Sequence, residues 1–368
     1  TQAMNHTNYV CYRLPEQKEY IRLEQRHGKP LALLSPRDIN GRKGFVFAPF
    51  RVSGSTPIWL LQGDVSERHA LPEAQEDDYA GILSAAQTGR DNCRQTPSDS
   101  TRQHSVDSER SEYHHRFLCC KDALESGEIE KVVMARRVEE PLRTAEDPER
   151  LFLRACRLYP HQYISLVSIE EAGTWLMATP EVLLCGDGSE YSTMALAGTQ
   201  AMPAGYRSVQ EAAWSEKNRK EQAFVARYIS DVLRPLAETI RQGSPHTVMA
   251  ARLLHLRTDF RFTLRSGAGT GDVIDALHPT PAVAGIPEDK AVSLIDSLES
   301  DERKYYSGFC GPCDPEGQTR LFVTLRCMEI TADRCVLHAG GGIVRESVED
   351  DEWKETEMKL NTMRDVLR

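Results

Sequence analysis

Four apolar runs follow one another closely in the middle of the chain, at Tyr163 to Ile169, Thr174 to Ala178, Val182 to Cys185 and Tyr191 to Leu196. Only turn-forming residues separate them. A parallel sheet needs a crossover, usually a helix, between successive strands, so this spacing predicts an antiparallel sheet rather than alternating βαβ units. Runs at Gly44 to Phe50, Pro57 to Gln62, Lys131 to Glu139, Ala251 to Leu264 and Arg320 to Ile330 read as further strands, the last carrying Arg326. Helices are predicted where the apolar period lengthens. Tyr113, Phe117, Cys120 and Leu124 form one stripe that stops at Gly127. Glu216 to Ile240 reads as a long helix with Phe224, Tyr228, Val232, Leu233 and Leu236 on its apolar side. Shorter helices are predicted from Asp272 to Leu277 and from Pro287 through Leu298.

With 368 residues and 40% hydrophobic content the chain can bury a sizeable core, as one large domain or two ordinary ones. From Thr88 to Ser111 it is polar and rich in turn formers, which reads as a long surface loop or disordered connection. Residues 1–105 are therefore taken as a sheet-forming region plus this loop, with no constellation that carries chemistry, and 106–368 as the functional region. A net charge of −10 argues against a nucleic-acid or anionic-membrane surface, while leaving room for a basic pocket that takes an acidic small molecule. No apolar run reaches membrane-spanning length, and the opening TQAMNHTNYV has no basic-then-apolar leader, so a cytoplasmic protein is expected.

Ten scattered cysteines predict reduced thiols rather than a disulfide framework. Cys310-Gly311-Pro312-Cys313 has the spacing of a redox pair. Such a pair, however, draws its low thiol pKa from a helix N-terminus, and here a turn and a strand follow. No second pair stands at zinc-ligand spacing.

The C-terminal stretch HAGGGIVRESVEDDEWKETEMK, from His338 to Lys359, is the richest in candidate chemistry. Gly340, Gly341 and Gly342 suit a backbone that approaches something closely or takes positive φ. Ser347 reads as the N-cap of a helix that begins near Val348, with Trp353, Thr356, Leu360, Met363 and Leu367 as its buried stripe. Glu352, Glu355 and Lys359 share a neighbouring face. They form either a solvated surface with a Glu355–Lys359 pair or a site for a hard cation such as Mg²⁺. Upstream, Lys131 opens a buried strand, either snorkelling to the surface or desolvated enough to act as a base. Glu181 lies in a tight turn after Ala178-Thr179-Pro180, Glu221 lies off the stripe of its helix, and Leu196-Ala197-Gly198-Thr199 ends a strand with small residues.

Taken together and in order, KVVMAR at 131–136, ATPE at 178–181, LAGT at 196–199, KNRKEQ at 217–222, LHPTPAVAG at 277–285, ER at 302–303, YYSG at 305–308, TLRC at 324–327, AGGGIV and EWKETEMK resemble the chorismate-utilising enzymes. These are the isochorismate, salicylate, anthranilate and aminodeoxychorismate synthases, and the match runs from about Tyr113 to Arg368. The resemblance implies an α+β fold in a single large domain of packed antiparallel sheets with helices outside. Lysine at 131 and the HPTPAV form resemble the isochorismate synthases, which exchange a hydroxyl on chorismate by adding water at C2 and expelling the C4 hydroxyl.

By this resemblance Lys131 is the base and Glu181 the acid. Glu221 and Glu355, with Glu352 beside them, hold Mg²⁺. Tyr306, Arg326 and Gly340 match the positions that hold the enolpyruvyl carboxylate. Gly198, Thr199 and Lys359 match the ring-carboxylate side, and His255 a substrate-proximal histidine. The expected partner is chorismate alone, with no nucleic acid or membrane, in a monomer or weak homo-oligomer that feeds menaquinone or siderophore synthesis. The alternatives are salicylate synthase or another chorismate-utilising lyase, and a non-catalytic or partner-dependent chorismate-binding subunit. Gln200, Asn218 and Gln222 depart from the family pattern of LAGTR, an acid and a histidine at those places.

Overall fold

In the computed structural model, residues 8–72, 99–142, 147–201, 212–250 and 253–368 are described, the side chains of 99–107 excepted. The chain enters through β1 (Asn8–Arg13), β2 (Glu19–Gln25), β3 (Leu31–Leu33), β4 (Gly44–Ala48), β5 (Ile58–Leu61) and β6 (Val65–Ala70). Helix α1 (Asp99–Glu125) leads to β7 (Lys131–Pro141) and α2 (Pro148–Leu158). A meander follows: β8 (Tyr163–Ile169), β9 (Gly173–Thr179), β10 (Val182–Gly186) and β11 (Tyr191–Ala201). After α3 (Glu216–Leu233) come β12 (Ala237–Gln242), β13 (His246–Ala250), β14 (Leu253–Leu264), α4 (Thr270–Leu277), β15 (Gly285–Ile286) and α5 (Glu288–Leu298). The chain closes with β16 (Phe309–Cys313), β17 (Thr319–Val323), β18 (Cys327–Ile330), β19 (Arg334–Ile343) and α6 (Glu349–Leu367).

The strands make two sheets. One runs β15-β7-β19-β18-β9-β8-β1-β2-β6, the other β12-β14-β11-β10-β17-β16-β4-β5-β3 with β13 paired to β14. The meander is antiparallel, as its short connections require. The sheets face each other across a layer of rings that includes Phe45, Phe47, Trp59, Tyr163, Trp175 and Phe322, all buried. Helices cover the outer faces: α1, α3, α4 and α5 pack on one core, and α2 and the end of α6 on another. This is the α+β arrangement of packed antiparallel sheets with external helices.

Chain crossings between the sheets set up the functional region. Strand β9 lies in the first sheet and β10 in the second, whereas β17 lies in the second and β18 in the first. The two crossings run side by side, with Val323 N–H donating to Glu181 O at 3.0 Å and Ala178 N–H to Arg326 O at 3.1 Å. Arg320 to Ile330, predicted as one strand, is thus two strands in different sheets. Arg326 sits at the break, with φ +48°. Alternation could not reveal the switch, because both strands present apolar residues to buried layers.

Other boundaries also move. The long helix predicted to Ile240 stops at Leu233, and Ala237–Gln242 becomes a strand on β14. Pro235 ends it by removing a backbone donor. The polar stretch predicted as a loop to Ser111 is helical from Asp99, and its earlier part lies outside the described residues. That helix docks on the start of α6, where Arg110 and His114 meet Glu349 at 3.2 and 2.7 Å. Ser347 is not the N-cap of α6, since its hydroxyl accepts from Val344 N–H and Val348 occupies the cap position. The helix instead gathers Glu349, Asp350, Asp351 and Glu352 in its first turn, where acids suit the dipole.

Candidate active site

Where the crossings meet the ends of β7, β11, β14 and β19, the sheets part around a cavity of about 60 Å³. Glu181, Gly198, Thr199, Glu221, His255, Tyr306, Arg326, Gly340 and Lys359 all line it. Nine of the twelve residues named from the sequence therefore share one wall. Lys131, Glu355 and Glu352 stand directly behind that wall, each joined to it or to its neighbours by an ion pair.

The acids and bases form three pairs. Lys131 Nζ lies 3.0 Å from Glu221 Oε1, with Lys131 only 1% exposed. Lys359 Nζ donates at 2.8 Å to both Glu355 Oε1 and Gly340 O. Lys359, expected as a substrate contact rather than as a partner of Glu355, is paired with Glu355 in the structure. Lys217 Nζ stands 2.6 Å from Glu352 Oε1, in an ion-pair contact without hydrogen-bond geometry, and neither buried oxygen of Glu352 accepts a hydrogen bond.

The protonation states follow from burial set against these charges. Burial would raise Glu221, but Lys131 and Lys217 outweigh it and hold the carboxyl below its ordinary 4.5. Burial and the neighbouring Glu355 carry Glu352 up to about 7. Lys217 is itself buried, yet the charges of Glu352, Glu221 and Glu355 hold it well above the ordinary lysine range. Three carboxylates thus surround one ammonium. The sequence reading missed Lys217, because a lysine in the first turn of a polar helix looks solvated.

A hard cation fits this donor chemistry: all three groups offer carboxylate oxygens, and Glu352 has the Lys217 ion pair at Oε1 without an accepted hydrogen bond at either oxygen. Among the described residues, however, no three acid, histidine or cysteine side chains converge tightly enough to form a coordination shell in this conformation.

The glycine run makes room for these groups by close approach rather than by positive φ. A Cβ at Gly342 would collide with Glu221 Oε1, and one at Gly340 would lie 2.6 Å from Tyr306 Oη. Gly198 does need its φ of +76°, at a bulge where β11 and β14 shift register between Ala197 and Thr199.

Glu181, 3% exposed, faces the cavity as a neutral acid. Burial lifts its pKa from 4.5 to about 8, although Lys131, Lys359 and Arg326 pull the other way. Arg326 Nη2 lies 2.9 Å from His255 Nε2. A guanidinium can only donate, so His255 must accept at Nε2 and carry its proton at Nδ1, which lies 3.2 Å from Thr199 Oγ1. Burial and then the Arg326 charge hold this histidine well below its ordinary 6.5, hence neutral. Arg326 Nη1 is buried without a partner, a free donor on the cavity wall.

Gln222, where the family pattern has histidine, is fully used. Its Oε1 accepts from Ala197 N–H at 2.8 Å, and its Nε2 donates at 3.1 Å to both Ala195 O and Thr258 Oγ1. It ties α3 to the strand just before the Gly198 bulge, and Asn218 packs against Gly198 itself. Gln200 is paired with Leu254 in the β11–β14 ladder. The Cys310-Gly311-Pro312-Cys313 motif lies within strand β16, and its two thiols are buried in different cores.

Residues 64–368 match the family described as chorismate binding enzyme. The chain is 34% identical over 245 residues to isochorismate synthase EntC of Escherichia coli K12, covering 65% of this chain and 63% of that one. It is 31% identical over 253 residues to isochorismate synthase DhbC of Bacillus subtilis 168, covering 64% and 63%. The match thus spans less than two thirds of the length of these relatives. In fold it resembles the menaquinone-specific isochorismate synthase MenF of Escherichia coli, with a TM-score of 0.78 at 21% identity over 98% of this chain and 89% of that one.

Proposed function

The chain belongs to the chorismate-binding enzyme family, and we propose that it is an isochorismate synthase. The observation that carries this reading is the pairing, on one cavity wall, of a carboxylic acid held neutral near pH 7 with an unpartnered guanidinium. Hydroxyl exchange on a dicarboxylate asks for both.

In the reaction a water oxygen bonds to C2 of chorismate and gives a proton to the base. The ring double bonds shift, and the C4–O bond breaks. The departing hydroxyl takes a proton and leaves as water, so one water enters and one leaves. Glu181 supplies the second proton; it carries that proton at neutral pH because burial disfavours its anion. Lys131 takes the first. Its Nζ lies 3.0 Å from Glu221 Oε1, and that contact must open for Lys131 to reach the attacking water.

Arg326 offers its free Nη1 to the enolpyruvyl carboxylate, with Tyr306 and Gly340 beside it. Lys359, Gly198 and Thr199 lie along the wall on the ring-carboxylate side, and neutral His255 keeps Arg326 aimed without adding a competing charge. Mg²⁺ is the cation that the acids fit, held by Glu221 and Glu355 with Glu352 next to them. When bound it would neutralise the ring carboxylate and the surrounding acids. The cavity of about 60 Å³ would have to widen to admit a ring with two carboxylates. We further propose that residues 1–105 and 106–368 act as parts of one fold, and that the enzyme works in the cytoplasm.

Purified protein incubated with chorismate and Mg²⁺, with products resolved by chromatography, tests the reading. Isochorismate without pyruvate is expected. Salicylate plus pyruvate would reassign the chain to salicylate synthase, and no turnover at any Mg²⁺ concentration would leave it a chorismate-binding subunit.

A further inference from the structure

We propose that Arg303 and Glu299 are positioning residues for this reaction: a buried ion pair that fixes three stretches of the cavity wall from behind. The proposal deepens the isochorismate synthase reading and rests on it for its kinetic part.

Strand β7 carries Lys131 and is paired on its outer side by β15 only at Lys131 and Val132. Beyond that point the edge would be bare, apart from Val133 N–H, which donates to Ala284 O at 2.7 Å. The ion pair takes the place of the missing strand. Arg303 Nη2 donates to Val133 O at 2.7 Å, and Glu299 Oε1 accepts from Ala135 N–H at 3.1 Å. Arg303 Nη1 donates to Val283 O at 2.8 Å, which anchors the loop after His278. Its own carbonyl accepts from Tyr306 N–H at 2.9 Å, so it also sets the turn that presents Tyr306.

Val133, Val283 and Tyr306 all line the cavity. Glu299 holds the guanidinium with two contacts, of 2.7 and 2.5 Å, and Arg303 is 5% exposed. On its far side the pair borders a surface cavity of about 190 Å³ that also reaches Ala135 and His338. It is therefore a partition as well as an anchor. All four hydrogen bonds that its guanidinium makes go to backbone or to its partner acid, which is the geometry of a scaffold and not of a substrate contact.

Removing Arg303 alone would leave Glu299 buried and unpaired, so Arg303→Met can simply fail to fold. The double variant Arg303→Met/Glu299→Leu removes both charges and leaves neither stranded, so it should fold, with a thermal midpoint lowered by the loss of partners for Val133 O, Val283 O and Ala135 N–H. The expected result is a folded double variant in which the Val133 and Ala135 amides exchange with deuterium at least tenfold faster. Its KM for chorismate should rise tenfold or more, and Arg303→Lys should fall between variant and parent. A double variant with parental stability, parental exchange at those amides and KM within twofold would overturn the proposal. If the parent does not convert chorismate, the functional reading fails by itself, and the amide exchange still decides whether the pair fixes the strand.

Discussion

The space between the two sheets is filled in two opposite ways. Toward Trp59 and Trp175 it holds stacked rings: Phe47 on Tyr305 at 4.1 Å, Tyr163 on Phe322 at 4.0 Å, and Trp175 edge-on to Tyr305 at 5.7 Å. Both indole N–H groups there are satisfied within the layer, Trp59 Nε1 donating to Tyr305 Oη and Trp175 Nε1 to Ala172 O, and the Tyr163 hydroxyl is the buried handle left without a partner. Toward the chain crossings the same layer holds Lys131, Glu181, Glu221, His255 and Arg326, and some of their polar atoms stay open. Arg326 Nη1 lacks an acceptor, so an anion would find a prepared partner, and behind it Glu352 has the Lys217 ion pair without an accepted hydrogen bond. The first region gains stability from burial, whereas the second gives some up to keep groups ready for a ligand. They touch at His338, whose ring stacks on Trp175 at 5.6 Å and on Tyr306 at 5.3 Å.

Substitutions that separate rate from stability should split the two regions. In the charged region, Lys131→Ala and Glu181→Gln should each lower turnover by about 10³-fold or more, while Glu181→Gln moves the thermal midpoint by only a few degrees. Steady-state kinetics and calorimetry on the same preparations check this, and a variant with near-normal turnover would remove its residue from acid–base chemistry. In the ring region, Trp175→Ala should cost about 3–5 kcal/mol of unfolding free energy, read as a lower urea midpoint. Its rate per folded molecule should change far less than in either charged variant. If turnover collapsed as completely as with Glu181→Gln, the two regions would not be separable and the His338 contact would be carrying the coupling.

Glu181 gives the comparison a pH axis. Its pKa in the fold is about 8 against an ordinary 4.5, so the proton it donates is present below pH 8 and is lost above it. Turnover should fall about tenfold per pH unit above 8 on this account. The sign for stability is the same. A raised folded-state value favours the fold fully below 4.5, and the contribution drains away as pH rises toward 8. Glu181→Gln should flatten stability across that window, whereas Trp175→Ala should shift the whole curve and leave its shape. Equilibrium unfolding at several pH values measures both.

Much of this was legible in the sequence, and the gaps have physical reasons. Short connections between apolar runs imposed an antiparallel meander, and nine ordered residues proved to line one cavity. What period and composition could not show was where a strand changes sheets, since Val323 and Cys327 look alike when both neighbouring layers are buried. That is why Arg326 was placed in a strand and not at a crossing with positive φ. Lys217 and the Arg303–Glu299 pair were opaque for a related cause. Charged residues at helix ends are ordinarily solvated, and only the tertiary structure shows which of them are enclosed. Gln222 departs from the family pattern, yet its amide both accepts and donates, which suits it to hold the Ala197 N–H and the Ala195 carbonyl of β11 together.

The smallest effect is expected where the sequence motif looked most reactive. Cys310 and Cys313 have redox-pair spacing, but a strand sends residues three apart to opposite faces. Cys310 accordingly packs with Phe45, Phe47 and Tyr163 between the sheets, and Cys313 with Phe309 and Leu321 on the helix side. Neither can reach the other without taking β16 apart, and that strand pairs with β4 along its whole length, from Phe309 opposite Ala48 to Cys313 opposite Gly44. Burial also pushes the Cys310 thiol up to about 12, so almost none of it is thiolate at neutral pH. Native protein should therefore leave both thiols unmodified by iodoacetamide, and turnover should be the same with and without a thiol reductant. Mass spectrometry of the alkylated protein reads the first and the chorismate assay the second. Rapid labelling of Cys310 in a fully active preparation would mean that the ring region opens as readily as the cavity, and the contrast between the two would not survive it.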